Sequence, residues 1–147
     1  MSLLDDDFVS IPLYYYYREG KYGSKQLIVL EDDKAAEMLE DTEAKQKVEV
    51  LNTKWKKMNW KEDNDLMKAC EKVGEAGEMP GFDWSRYQDQ RVKMSLQWWD
   101  LKQKAEDLEP MPVNNENIDK MPGHIIRALL ERFEAATSIT DAEMGKL

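Results

Sequence analysis

The sequence predicts an α+β fold, with an N-terminal β-hairpin or small antiparallel sheet followed by a predominantly helical C-terminal region. Three observations predict it. FVSIPLYYYY at 8–17 and QLIVL at 26–30 are dense in β-branched and aromatic residues and flank a turn holding Gly20 and Gly23. Past Asn59, favoured helix caps precede charged stretches whose apolar residues recur at three- and four-residue spacing. The chain has 147 residues, 41% of them hydrophobic, which suits a single domain over 1–147 with one core. Residues 1–55 form its β-rich part, 56–136 its helical part, and 137–147 a loose tail.

In the first strand Val9, Ile11, Leu13, Tyr15 and Tyr17 alternate toward the core, while Phe8, Ser10, Pro12, Tyr14 and Tyr16 face the other way. Pro12 lacks an N–H, which predicts a sheet edge or a bulge there. QLIVL is the returning strand. EDDKAAEMLED at 31–41 then reads as a short helix with an acidic start that suits the helix dipole. KVEVLNTKW at 47–55 alternates again and predicts a third strand.

KWKKMNWKEDNDL at 54–66 crowds lysines and tryptophans ahead of a run of acids. Asn59 stands where an N-cap belongs, with Glu62 three residues on, the spacing of a capping box. The helix that follows places Trp60, Asp63, Met67, Cys70 and Val73 along one side, and Gly74 stops it. The lysines therefore mark the end of a strand and the approach to a helix, in preference to a nucleic-acid patch. GEAGEMPGF at 74–82 is a loop. Asp83 caps a long helix, DWSRYQDQRVKMSLQWWDLKQKAED, on which Trp84, Tyr87, Arg91, Met94, Trp98 and Leu101 form an apolar stripe widened by Val92, Leu96 and Trp99. That stripe buries either in the core or against a partner. LEPMPVNNENIDKMPG at 108–123 is a connector with three prolines, in which Asn114 or Asn115 starts a short turn through Ile118. Pro122 suits the first turn of a last helix whose face is Ile125, Ile126, Leu129, Leu130 and Phe133. Thr140 and Glu143 in the tail have capping-box spacing, but too few residues follow them for a stable helix.

The net charge of −9 is uneven: residues 1–50 carry 12 acids against 6 bases, residues 51–100 carry 9 of each, and residues 101–147 carry 9 acids against 6 bases. An acidic surface repels phosphate, so neither nucleic acid nor an anionic membrane is the expected partner. No apolar run is long enough to span a bilayer, and the acidic start MSLLDDDF has none of the features of a signal peptide. The one cysteine suits a reducing cytoplasm.

An enzyme is not expected. His124 is the only histidine, and Cys70 lies on the apolar side of its helix; a Cys70–His124 nucleophile pair has no third group to orient it. One Cys and one His make no structural zinc site, the acidic runs lack calcium-loop spacing, and EAGEMPG has no phosphate-binding lysine, so neither metal nor cofactor is expected. Protein contacts remain. Two of the four tyrosines at 14–17 turn outward on their strand, where they pack across the sheet or receive another chain. The candidate partner-binding residues are Tyr14, Tyr16, Trp84, Tyr87, Trp98 and Trp99.

From residue 48 the order of landmarks resembles the small tail-assembly proteins of tailed bacteriophages. The resemblance is carried by a strand leading to a helix in VEVLNTKWKKMNWKEDNDLMKAC and by an acidic-aromatic helix start, Asp83, Trp84 and Tyr87, ending in Trp98 or Trp99. It continues in a connector with Pro112, Val113, Glu116, Asn117, Ile118 and Pro122 before the last apolar helix. About two-thirds of the chain is covered; the first 47 residues have no counterpart. The resemblance implies a non-enzymatic chaperone of virion morphogenesis, binding tail, tape-measure, baseplate or capsid proteins in the host cytoplasm during assembly. The alternatives are a structural component retained in the virion, and an acidic regulatory protein that inhibits a host enzyme.

Overall fold

A computed structural model describes residues 7–40, 47–72, 81–104 and 106–137. The elements in order are β1 (Phe8–Glu19), β2 (Lys25–Leu30), α1 (Asp32–Glu40), β3 (Glu49–Lys56), α2 (Trp60–Ala69), β4 (Glu71–Lys72), β5 (Gly81–Phe82), α3 (Trp84–Ser95), β6 (Leu96–Trp99), α4 (Asn115–Asp119) and α5 (Gly123–Thr137). Four strands make an antiparallel sheet in the order β2-β1-β3-β6, and β4 pairs with β5 in a separate two-stranded ribbon. This is the α+β architecture expected, sheet first and helices after.

β1 and β2 form the expected hairpin, closed by one 3-10 turn over Lys21–Gly23. The reversal uses left-handed backbone at Tyr22, φ 61°, and Gly23, φ 71°, and only the glycine takes that conformation without steric cost. β1 is long enough to have two neighbours in succession. Its first part pairs with β3, from Phe8 opposite Lys56, and its last part with β2, ending at Glu19 opposite Lys25; the two ladders overlap only at Tyr14 and Tyr15.

That offset accommodates Pro12. The proline lies in an inner strand, not at the sheet edge, but in the part of it that β2 does not reach. Its partner Asn52 spends its backbone polar atoms on the far side, where its N–H donates to Asp100 Oδ1 at 2.9 Å and its carbonyl accepts from Asp100 N. Pro12 and Asn52 therefore need no bond between them, and the missing N–H falls on an open flank. Arg132 of α5 fills this notch, donating to the carbonyls of Pro12 at 3.3 Å and Leu30 at 2.7 Å and to the Asp32 carboxylate.

Helices α3, α4 and α5 pack on one face of the sheet. Ile11 and Leu13 of β1 and Leu51 and Trp55 of β3 meet Val92, Leu96, Trp99, Ile118, Ile125, Leu129, Leu130 and Phe133 in one buried cluster, with Val9, Tyr15, Leu27 and Val29 at its margin. Each large apolar side chain withdrawn from water there contributes about 1.5–3 kcal/mol before entropy is counted. Trp55 stacks on Phe133 with ring centroids 4.9 Å apart, and its Nε1–H donates to Thr53 Oγ1 at 2.8 Å. Thr53 in turn donates to the Ile11 carbonyl at 2.7 Å, so the Trp55 indole N–H and the Thr53 hydroxyl are both satisfied.

The helix caps fall where the sequence places them. Asn59 Oδ1 accepts from Glu62 N at 2.8 Å and Glu62 reaches back to Asn59 N, completing the capping box. Asp83 caps α3 and Asn114 caps α4. At the last helix, Pro122 stands just before α5 and its carbonyl accepts from Ile125 N and Ile126 N.

Three expectations are corrected. The helix begun at Asp83 ends at Ser95, and Leu96–Trp99 turn into β6, pairing with β3 through a bulge between Lys54 and Trp55. Short aromatic-apolar runs satisfy either period, and the exposed edge of β3 decides this one. On α2 the buried residues are Leu66 and Cys70; Trp60, expected on the inner side, is 82% exposed and Met67 is exposed as well. Gly81 and Phe82, expected in a loop, pair with Glu71 and Lys72 in the small ribbon. Val73 and most of that loop, and the tail beyond Thr137, lie outside the described residues.

Candidate partner-binding surface

Since the odd-numbered residues of β1 and β3 point into the core, the even-numbered ones define the opposite face. Cross-strand pairing puts Tyr14 beside Leu30 and Val50, Tyr16 beside Ile28, and Phe8 beside Lys56; Trp98 of β6 sits opposite Lys54. Phe8 is 57% exposed, Val50 41% and Trp98 39%, while Tyr14, Tyr16 and Ile28 are half-buried. At the end where α1 contacts β1, Leu30 and Ala35 are buried. Among the described residues no helix covers the rest of the face, where these aromatic and aliphatic side chains mix with polar ones such as Ser10 and Asn52.

Its charge differs from that of the chain as a whole. The outward positions of the paired strands carry Arg18, Lys54 and Lys56 and no carboxylate. Lys54 Nζ stands 5.2 Å from the centroid of the Trp98 ring, a cation–π arrangement that holds the ring across the sheet. Asp100 lies at the rim, its carboxylate engaged by the N–H and Nδ2 of Asn52 at 2.9 and 2.8 Å. A cationic, aromatic sheet face on a chain of charge −9 is a marked local departure.

The six candidate residues divide accordingly. Tyr14, Tyr16 and Trp98 share this face. Trp84, 64% exposed, and Tyr87 belong instead to a cluster with Phe82 at the start of α3, with ring centroids 4.6 to 5.8 Å apart. Trp99 is a correction: it is wholly buried, and its Nε1–H donates to the Met111 carbonyl at 2.8 Å, so it serves the core and not a partner. Sequence reasoning missed Ile28, Val50, Lys54 and Lys56. The alternation of β3 was the signal for Val50 and the lysines, which continue that strand's outward positions instead of merely preceding a helix.

On the inner side an apolar cavity of about 140 Å³ lies between the hairpin and the start of α5, lined by residues that include Leu13, Tyr15, Tyr17, Leu27, Met121 and Ile125. Tyr15 is half-buried there, its hydroxyl bonded to Glu49 of the neighbouring strand. Burial first, then the hydrogen bond and negative charge of Glu49, push its pKa from 10.0 to about 12. The fold favours the neutral phenol, so this contribution to stability is fully present below pH 10 and is lost as the pH rises toward about 12. Spectrophotometric titration at alkaline pH should show a tyrosine step near pH 12, and Tyr15→Phe should remove that step; an unchanged titration would contradict the assignment.

Among the described residues no group of three or more His, Cys, Asp and Glu is placed to hold a metal ion. Cys70 is buried at the end of α2, whereas His124 is exposed at the start of α5. Nor is any helix among these residues long and apolar enough to cross a membrane. No protein-family model, no curated protein and no solved structure matches this chain.

Proposed function

We propose that this protein is a non-enzymatic factor of phage virion morphogenesis, an assembly chaperone that holds tail or baseplate proteins in the host cytoplasm through the open face of its sheet. The observation that carries the reading is that face itself: exposed Phe8, Val50 and Trp98 beside Tyr14 and Tyr16, with Lys54, Lys56 and Arg18 at outward strand positions and the Asp100 carboxylate at the rim. An apolar patch edged by polar groups is the usual form of a protein-binding surface. Its local positive charge selects acidic protein segments, while the chain's charge of −9 opposes a polyphosphate strand. An inhibitor acting through an acidic face would not use this surface. The phage assignment rests on the resemblance of residues 48–136.

Mass spectrometry of infected-cell lysate against purified particles tests the role. Abundance in lysate with absence from particles is the expected result; a fixed copy number in particles would make the protein a structural component instead. For the surface, the combined variant Phe8→Ser, Tyr16→Ser, Trp98→Ala should weaken binding to a client recovered by cross-linking by at least roughly tenfold while leaving the circular dichroism spectrum unchanged. Undiminished binding would remove this face from the reading.

A further inference from the structure

We propose that two copies of this chain pair antiparallel through the free edge of β2, with Ile28 on the two-fold axis, to give one continuous eight-stranded sheet. Among the described residues β2 has β1 as its only strand neighbour, so one flank of its backbone is unpaired.

The direction of that flank follows from the ladder. Pro12 turns its polar atoms away from β3, and alternation carries the same orientation to Tyr14, Tyr16 and Arg18. These residues therefore exchange hydrogen bonds with Leu30, Ile28 and Gln26, and the bond from Gly20 N to the Ser24 carbonyl at 2.6 Å continues the series. It follows that the N–H and C=O groups of Lys25, Leu27 and Val29 point outward, off the sheet. Among the described residues the edge beyond Lys25 lacks the usual protection. KQLIVL contains no proline, no bulge, and no charged residue after Lys25.

The edge is also complementary to itself. With Ile28 opposite the partner's Ile28, Leu27 lies opposite the partner's Val29 with the outward N–H and C=O groups of both facing each other. Lys25 comes opposite the partner's Glu31, and both residues are exposed. Odd residues meet odd residues, so the core face of one sheet continues into the core face of the other. Sliding the register by one residue would turn every apolar side chain to the wrong face. Sliding by two, with Leu27 on the axis, would set Lys25 against the partner's Val29 and lose both ion pairs. The pairing brings the outward row of Tyr16 and Ile28 up to its symmetric copy and so doubles the open face, but it stands without the functional reading because molecular mass alone reports it.

Sedimentation equilibrium across a concentration series is the test. The expected result is a concentration-dependent mass rising from 17.2 kDa to twice that value. Ile28→Lys puts two like charges on the axis and should leave a monomer with an unchanged circular dichroism spectrum. Lys25→Glu should weaken the dimer by about tenfold, and the double exchange Lys25→Glu with Glu31→Lys should restore it to within about threefold. A chain that stays monomeric at every concentration overturns the proposal. So does a dimer that ignores Ile28→Lys or is not restored by the exchange, since it would be held by another surface.

Discussion

Replacing Trp55 by alanine should destabilise the protein by about 3–5 kcal/mol, a large part of the roughly 5–15 kcal/mol that holds a domain of this size folded. Trp55 has no exposed surface, stacks on Phe133 of α5 and donates to Thr53 Oγ1. It stands where the sheet meets the helical layer, so truncation empties a site bounded by two rigid elements that cannot close around the gap. Urea unfolding should show the midpoint falling by roughly 2 M or more. Trp55→Phe retains much of the ring contact and gives up the bond to Thr53, whose hydroxyl still has the Ile11 carbonyl. Its expected cost is about 1–2 kcal/mol. A loss under about 1 kcal/mol for the alanine variant would contradict the packing described.

The second large effect is expected at Arg132. One guanidinium satisfies the carbonyls of Pro12 and Leu30 and the carboxylate of Asp32, tying α5 to the notch where β1 outruns β2. Arg132→Met keeps much of the apolar stem and removes all three bonds, leaving the Pro12 carbonyl without a donor and the Leu30 carbonyl with only its bond inside the hairpin. The expected destabilisation is about 2–3 kcal/mol, because bonds to a charged donor are worth more than neutral ones. Arg132→Lys should recover less than half of it, since a single ammonium cannot reproduce the planar fork. Hydrogen exchange distinguishes this from general weakening. The amides of β1 and β2 around the notch should exchange faster in Arg132→Met, while those of α2 keep their protection relative to global unfolding. Uniform acceleration would assign Arg132 a role in the core at large.

The open face was partly legible from the start. Alternation in 8–17 separates Tyr14 and Tyr16 from the core-facing set, and the structure keeps that division. Trp98 and Trp99 were not separable by sequence. As neighbours on a helix they would lie on adjoining parts of one broad face, but on β6 they take opposite roles, Trp98 outward beside Lys54 and Trp99 inward in the core. On α2 both possible faces contain apolar residues, and contact with α3 selects the one holding Leu66 and Cys70 over the one holding Trp60.

By itself the sequence determined what depends on neighbours a few residues away. The hairpin with its turn, the caps at Asn59, Asp83 and Asn114, and the apolar face of α5 all arise from local hydrogen bonding and a repeating period. The tertiary structure alone decided that Leu96–Trp99 pair with β3, that Pro12 sits inside the sheet with Arg132 in its notch, and that Lys54 and Lys56 join an aromatic face. Each of these is a contest between two locally acceptable arrangements. An unpaired strand edge or an unsatisfied carbonyl from a distant part of the chain settles it, and the period of a short segment carries no record of that partner.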